Sequence, residues 1–187
     1  KASAAAGSDA RMSGCSMPVV INSGSGNQGI TVSLPVIEYA KFLNSSHEEL
    51  LRALVISNLV SIHQKSKIGK LSAYCGAVSA AAGSGAGIAY LCKGGYEEIS
   101  YTIINTIANV GGIVCDGAKA SCAAKIASSV DAAIMGMNLA FKKKRYAKGD
   151  GLVKDNVEKT IDSVGQMGAL GMKETDVEIL KIMIEKP

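Results

Sequence analysis

Leu71-Ser72-Ala73-Tyr74-Cys75-Gly76-Ala77-Val78-Ser79-Ala80-Ala81-Ala82-Gly83-Ser84-Gly85-Ala86-Gly87-Ile88-Ala89-Tyr90-Leu91-Cys92 runs for 22 residues without a charge, between Lys70 and Lys93. The length would suit a membrane span, but the run is mostly Ala, Gly and Ser, which drive insertion poorly. It therefore reads as a buried helix of a soluble domain, or as two half-helices broken near Gly83-Ser84-Gly85. Gly76, Gly83, Gly85 and Gly87 each cost about 1 kcal/mol of helix propensity against alanine. Such costs imply a compensating gain: close contact with another backbone or with a cofactor. A core of this kind brings backbones together instead of relying on large side chains. The chain's six Tyr, two Phe and no Trp agree with that.

Upstream, Ser46 and Glu49 form a capping box ahead of Leu50, Leu51, Leu54, Val55, Leu59 and Ile62. That spacing predicts a helix to about Gln64 with one broad apolar face. Lys65, Lys67 and Lys70 mark its end, with Gly69 as the break. Residues 1–34 read as loop and turn, and a short helix is expected from Pro35. Downstream, Glu97 and Glu98 open a helix that spends its apolar face on Ile99, Ile103, Ile104, Ile107 and Val110 and stops at Gly111-Gly112. Further helices are expected from Ser121 to about Phe141, over Asp155–Met167 and over Glu174–Glu185. No alternating strand pattern and no long repeat occurs. The predicted fold is all-α, a compact multi-helix domain.

The net charge of +4 comes largely from Lys142-Lys143-Lys144-Arg145, which has only Tyr146 for stacking. It reads as a solvated turn, and nucleic acid is not an expected partner. The second uncharged run, Ile99 to Cys115, is too short for a span and contains Asn105 and Asn109, so no membrane partner is expected either. Five cysteines without a visible signal peptide point to reduced thiols in a cytoplasmic setting. The chain opens on Lys1-Ala2-Ser3-Ala4 without an initiator Met, which looks like the inside of an ordered domain.

Three thiols lie in small-residue sequence. Cys75 is within the quoted run, and Cys115 and Cys122 flank Asp116-Gly117-Ala118-Lys119-Ala120-Ser121. Structural zinc sites bring closer cysteine pairs, and a redox disulfide would need C-x-x-C. Iron–sulfur clusters accept more scattered thiolates. On spacing alone, a cluster and buried structural cysteines both stay open, with zinc behind them. A second dense motif, Asn22-Ser23-Gly24-Ser25-Gly26-Asn27-Gln28-Gly29 after Cys15-Ser16-Met17-Pro18, could form a nest of amide N–H groups for a carboxylate or phosphate. A flexible polar linker is the plainer alternative.

The Asn-Ser-Gly-Ser-Gly-Asn-Gln-Gly run, Lys67-Ile68-Gly69-Lys70-Leu71-Ser72 and Val114-Cys115-Asp116-Gly117-Ala118-Lys119-Ala120-Ser121-Cys122 together resemble the α-domain of iron–sulfur serine dehydratases. More closely, they resemble the L-cysteine desulfidase branch, the UPF0597 proteins. The resemblance covers nearly the whole chain. It implies that residues 1–187 are one domain, about the C-terminal half of a longer protein. It also implies an α,β-elimination on a small L-amino acid, with a 4Fe-4S cluster as cofactor. Cys75 and Cys115 match the cluster positions best, and Cys122 is the third expected ligand. The short step to Cys122 favours the desulfidase branch, with serine dehydratase or a catalytically silent domain as alternatives. Asn22, Ser23, Ser25, Asn27 and Gln28 would hold the substrate. Cys15 would sit beside the site, and Cys92 would be a core thiol. Asp116 and Lys119 would be site residues or caps of a helix beginning near Ala118. The α-proton base is unassigned, with His63 the residual candidate. The implied partners are a small amino-acid substrate and the missing N-terminal half of the same protein, and a homodimer is compatible with this reading.

Overall fold

The computed structural model of the chain describes residues 1–69 and 72–185. Lys70 and Leu71 of the Lys67–Ser72 motif lie outside the described residues, as do Lys186 and Pro187. Eight α-helices occur among the described residues: α1 Ala2–Met12, α2 Gly26–Phe42, α3 His47–Ile68, α4 Gly76–Leu91, α5 Tyr96–Val110, α6 Cys122–Phe141, α7 Val157–Gln166 and α8 Lys173–Ile184. A π-helical turn, Met167–Gly171, joins the last two. Among the described residues there are two isolated bridges instead of strands, Asn22 with Ser25 and Tyr74 with Val114. The all-α expectation holds.

α4 is the axis. Fourteen of its sixteen residues are buried, and α2, α3, α5 and α6 pack around it. It is one continuous helix and does not break at Gly83-Ser84-Gly85. The glycines answer to neighbours. A Cβ on Gly83 would stand 2.4 Å from the Ser57 carbonyl oxygen, and one on Gly87 would stand 2.7 Å from that of Ala53. On the opposite side, a Cβ on Gly85 would press on Thr102 and Ala133. Close approach on both sides offsets the propensity cost.

The same contact overturns the expected face of α3. The side turned to α4 carries Ala53, Ser57 and Ser61, because only small residues fit against a glycine-bearing helix at that distance. Leu51, Val55, Leu59 and Ile62, expected in the core, are 46–59% exposed. The helix also runs past Gln64 to Ile68 and ends at Gly69, whose φ of 101° suits glycine.

The N-terminal region is helical where loop was expected. α1 packs against α6 and α2. α2 begins at Gly26 and carries Pro35 in its interior, so Pro35 does not start a helix. Glycine and asparagine suggested a loop, but Gly26 and Gly29 are small because neighbours crowd them. A Cβ on Gly26 would meet Arg11 at 2.6 Å, and one on Gly29 would meet the Val20 carbonyl oxygen at 1.7 Å.

The capping box is present. Glu49 N–H donates to Ser46 Oγ at 3.2 Å, and Ser46 N–H donates to Glu49 Oε2 at 2.8 Å. Ser46→Ala should destabilise the fold by about 1 kcal/mol, read as a fall in Tm of about 2–4 °C for a domain of this size. Among the described residues, no helix is long and apolar enough to cross a membrane.

Candidate active site

Three helices begin at one cavity of about 640 Å³. The turn into α2 and its first residues contribute Ser23, Gly24, Ser25, Asn27 and Gln28, the N-cap and first residues of α4 contribute Cys75, Gly76 and Ala77, and the turn before α6 and its first residue contribute Gly117, Ala118 and Cys122. A helix start presents unpaired N–H groups and the positive end of the helix dipole. Three of them at one cavity make it suited to negative charge.

The turn into α2 is tied down from below. Ser23 and Gly24 take positive φ, and the Asn22 and Ser25 backbones bond to each other. The Asn22 amide donates to Asn58 Oδ1 at 2.9 Å, and its oxygen accepts from Ser23 Oγ at 2.9 Å and Ser61 Oγ at 3.1 Å. Asn22 is buried in this network and is not in the cavity wall. Asn27 lines the wall, but its oxygen accepts from Arg11 Nη1 at 3.1 Å. Gln28 packs against Gly76, and its side-chain oxygen is buried without a partner.

The backbone bridge between Tyr74 and Val114 sets two of the thiols. Cys75 N–H donates to Ile113 O at 3.1 Å and Cys115 N–H donates to Ala73 O at 2.6 Å. Cys75 and Cys115 are thus diagonal neighbours on one face of an antiparallel pair, where such residues stand about 7–8 Å apart. Cys75 is also the N-cap of α4. Burial pushes its thiol pKa up, the Ala77 N–H pulls it back, and Cys115 pushes it up again. Cys122 is the first residue of α6, so the helix starts there and not near Ala118. Its sulfur accepts from Lys119 N–H at 3.4 Å, across a turn made by Gly117 at φ 94°.

Cys75, Cys115 and Cys122 therefore share one cavity. Among the described residues, no group of three or more His, Cys, Asp or Glu side chains is gathered tightly enough to hold a single metal ion. Cys15 is exposed and lines a separate groove between α1 and α2, and Cys92 caps the far end of α4. His63 lies 2.7 Å from Glu158 and does not line the cavity.

Sequence reasoning missed Lys65, Lys125 and Tyr74, which also line the cavity. Lys125 is bonded to Asp116 and donates to Val114 O at 3.0 Å. That bond holds the Asp116 carboxyl below its usual range, and Lys119 adds to the effect. The Tyr74 hydroxyl is fully buried without a partner, and burial, reinforced by Cys75, pushes its pKa well up. Lys65 is buried on α3 and forms no side-chain hydrogen bond or ion pair among the described residues. Burial pushes its pKa down, against the pull of Cys115 and Cys75. A signal for it was available: Lys65 continues the four-residue step of Ala53, Ser57 and Ser61, the buried stripe of the helix.

The family described as serine dehydratase alpha chain matches residues 1–181. A UPF0597 protein of Lachnoclostridium phytofermentans is 66% identical over 184 residues, covering 98% of this chain and 44% of that protein. One from Desulfitobacterium hafniense is 60% identical over 186 residues, covering 100% of this chain and 43% of its own length. One from Treponema denticola is 55% identical over 181 residues, covering 97% and 42%. The chain spans less than half the length of these curated relatives. No solved structure matches it.

Proposed function

The chain belongs to the serine dehydratase alpha-chain family, and from that premise we propose that it is the α-domain of an iron–sulfur lyase acting on a small L-amino acid, with L-cysteine as the first choice. One observation carries this reading: three thiols and three helix starts share the wall of a single cavity. A lone ion needs its donors packed together. A 4Fe-4S cluster, whose irons take separate thiolates, suits the wider arrangement of Cys75, Cys115 and Cys122. Bound there, it would supply an iron without a protein thiolate, an open Lewis acid for a leaving group.

Ser23, Ser25, Asn27 and Gln28 are the proposed substrate-binding set, with Asn22 holding their turn from behind. The reaction is an α,β-elimination. The α-proton passes to a base and its electron pair becomes the Cα=Cβ bond. The Cβ–S bond breaks with its pair on sulfide. The 2-aminoacrylate then tautomerises and takes up water, giving pyruvate and ammonia. Serine would follow the same course with hydroxide leaving. The length by which the relatives exceed this chain is proposed to supply further substrate-binding residues at the cavity mouth, where Ile62 lies exposed.

The test uses the full-length protein, loaded with iron and sulfide without oxygen, desalted, and offered L-cysteine and L-serine. Sulfide and pyruvate should appear in equal amounts from cysteine, with kcat/KM at least about tenfold above that for serine. The reverse preference would make the protein a serine dehydratase. Absence of pyruvate from both, with cluster bound, would leave a binding domain of the same fold and sink the proposal.

A further inference from the structure

Among the described residues, three polar groups of the cavity wall have no partner: the Lys65 ammonium, and the fully buried Gln28 side-chain oxygen and Tyr74 hydroxyl. The Lys65 ammonium forms no bond among the described residues, whereas the other lysine in the wall, Lys125, is engaged by Asp116 and the Val114 carbonyl. The Gln28 side-chain oxygen is unbonded as well. A buried amide oxygen without a donor is costly unless a ligand completes it, and an ammonium on a buried stem with no protein counter-ion is free to take one from the cavity. An ammonium demands an anion, and an amide oxygen demands an N–H or O–H donor. A zwitterionic amino acid offers both, one carbon apart.

We propose that Lys65 recognises the α-carboxylate of the bound amino acid, while Gln28 accepts a hydrogen bond from its ammonium group. This rests on the reading above that the cavity takes an amino acid, and it adds the residue that selects for one. The start of α2 lies in the same wall and its N–H groups favour the same end of the ligand. Lys65 is fixed for this role by its place on the buried stripe of α3, where Ser57 bonds the Val32 carbonyl at 2.7 Å and Ser61 bonds Asn22 at 3.1 Å. The helix that carries the cation is thereby tied to the helix and turn that carry Gln28.

The experiment is calorimetric binding to the full-length protein, with L-alanine and L-alaninamide as probes. Neither has a leaving group, so binding is read without turnover. Wild type should bind L-alanine and discriminate against the amide. Lys65→Met should weaken L-alanine on the order of 10- to 100-fold, leave the amide unchanged, and so erase the discrimination. Lys65→Arg should restore part of it. Met roughly keeps the stem length and removes a charge that has no protein counter-ion among the described residues, so Tm should be held or raised, and Lys65→Gln serves as a second neutral variant.

If Lys65→Met leaves L-alanine affinity within about twofold, or if wild type binds neither probe, the inference is overturned. A change confined to the visible absorbance of the loaded protein would overturn it as well, since Lys65 would then balance thiolate charge only. Alanine binding through Lys65 in a protein that eliminates neither cysteine nor serine would uphold the inference and fail the proposed reaction instead.

Discussion

Cys115→Ser in the full-length protein is expected to abolish the visible iron–thiolate absorbance and to lower elimination by more than about 100-fold. The bound follows from metal sites generally, where even an outer-shell partner of a ligand is worth about 10- to 100-fold. The fold should survive the change. What holds this segment is backbone: Cys115 N–H on Ala73 O, Cys75 N–H on Ile113 O, and the bridge between Tyr74 and Val114. The thiol itself is only half-buried. Cys92→Ser is the matched control, because Cys92 caps the opposite end of α4 and should leave both readouts unchanged. Anaerobic spectra and pyruvate release, taken on both variants, decide the matter. Retention of absorbance and activity in Cys115→Ser within about twofold would remove the basis for a cluster here.

The largest stability effect is expected at Gly29. A Cβ there would sit 1.7 Å from the Val20 carbonyl oxygen and 2.8 Å from its carbon, both backbone atoms that cannot rotate aside. Gly29→Ala should force α2 away from the 19–22 segment and destabilise the protein by more than about 3 kcal/mol, beyond ordinary overpacking. The urea midpoint reads this directly. Gly112→Ala is the control, since nothing lies within 4 Å of its Cβ position, and its effect should stay within about 0.5 kcal/mol. Equal midpoints for the two variants would show that the 19–22 segment yields freely and does not fix the start of α2.

What could be read from the sequence divides along the range of the interactions. The capping box at Ser46 and Glu49, the stop at Gly69 and the helix opened by Glu97 and Glu98 are local, set by residues three or four apart. The motif around Cys115 was also visible, and its thiol shares a cavity with Cys75 and Cys122. The face of α3 was misread because size is a poor guide where helices nearly touch. There the core takes Ala53, Ser57 and Ser61, and the large residues go outside. Gly26 and Gly29 suggested a loop because propensity cannot tell a flexible glycine from one crowded by a distant backbone. Lys65 passed for a helix-end lysine, since a charge in a small-residue stripe acquires meaning only when the facing helix is known.

The composition of α4 also governs the order in which the molecule can assemble. A sixteen-residue segment with four glycines has little tendency to form a helix in isolation, where even favourable sequences only slightly shorter are marginal. It becomes helical only as its neighbours close around it, so local and long-range structure must arrive in one step. Cys75 caps that segment, so its position does not exist in a partly folded chain. For the proposed cluster this means that nascent protein offers no finished set of thiols, and metal loading should wait on complete folding.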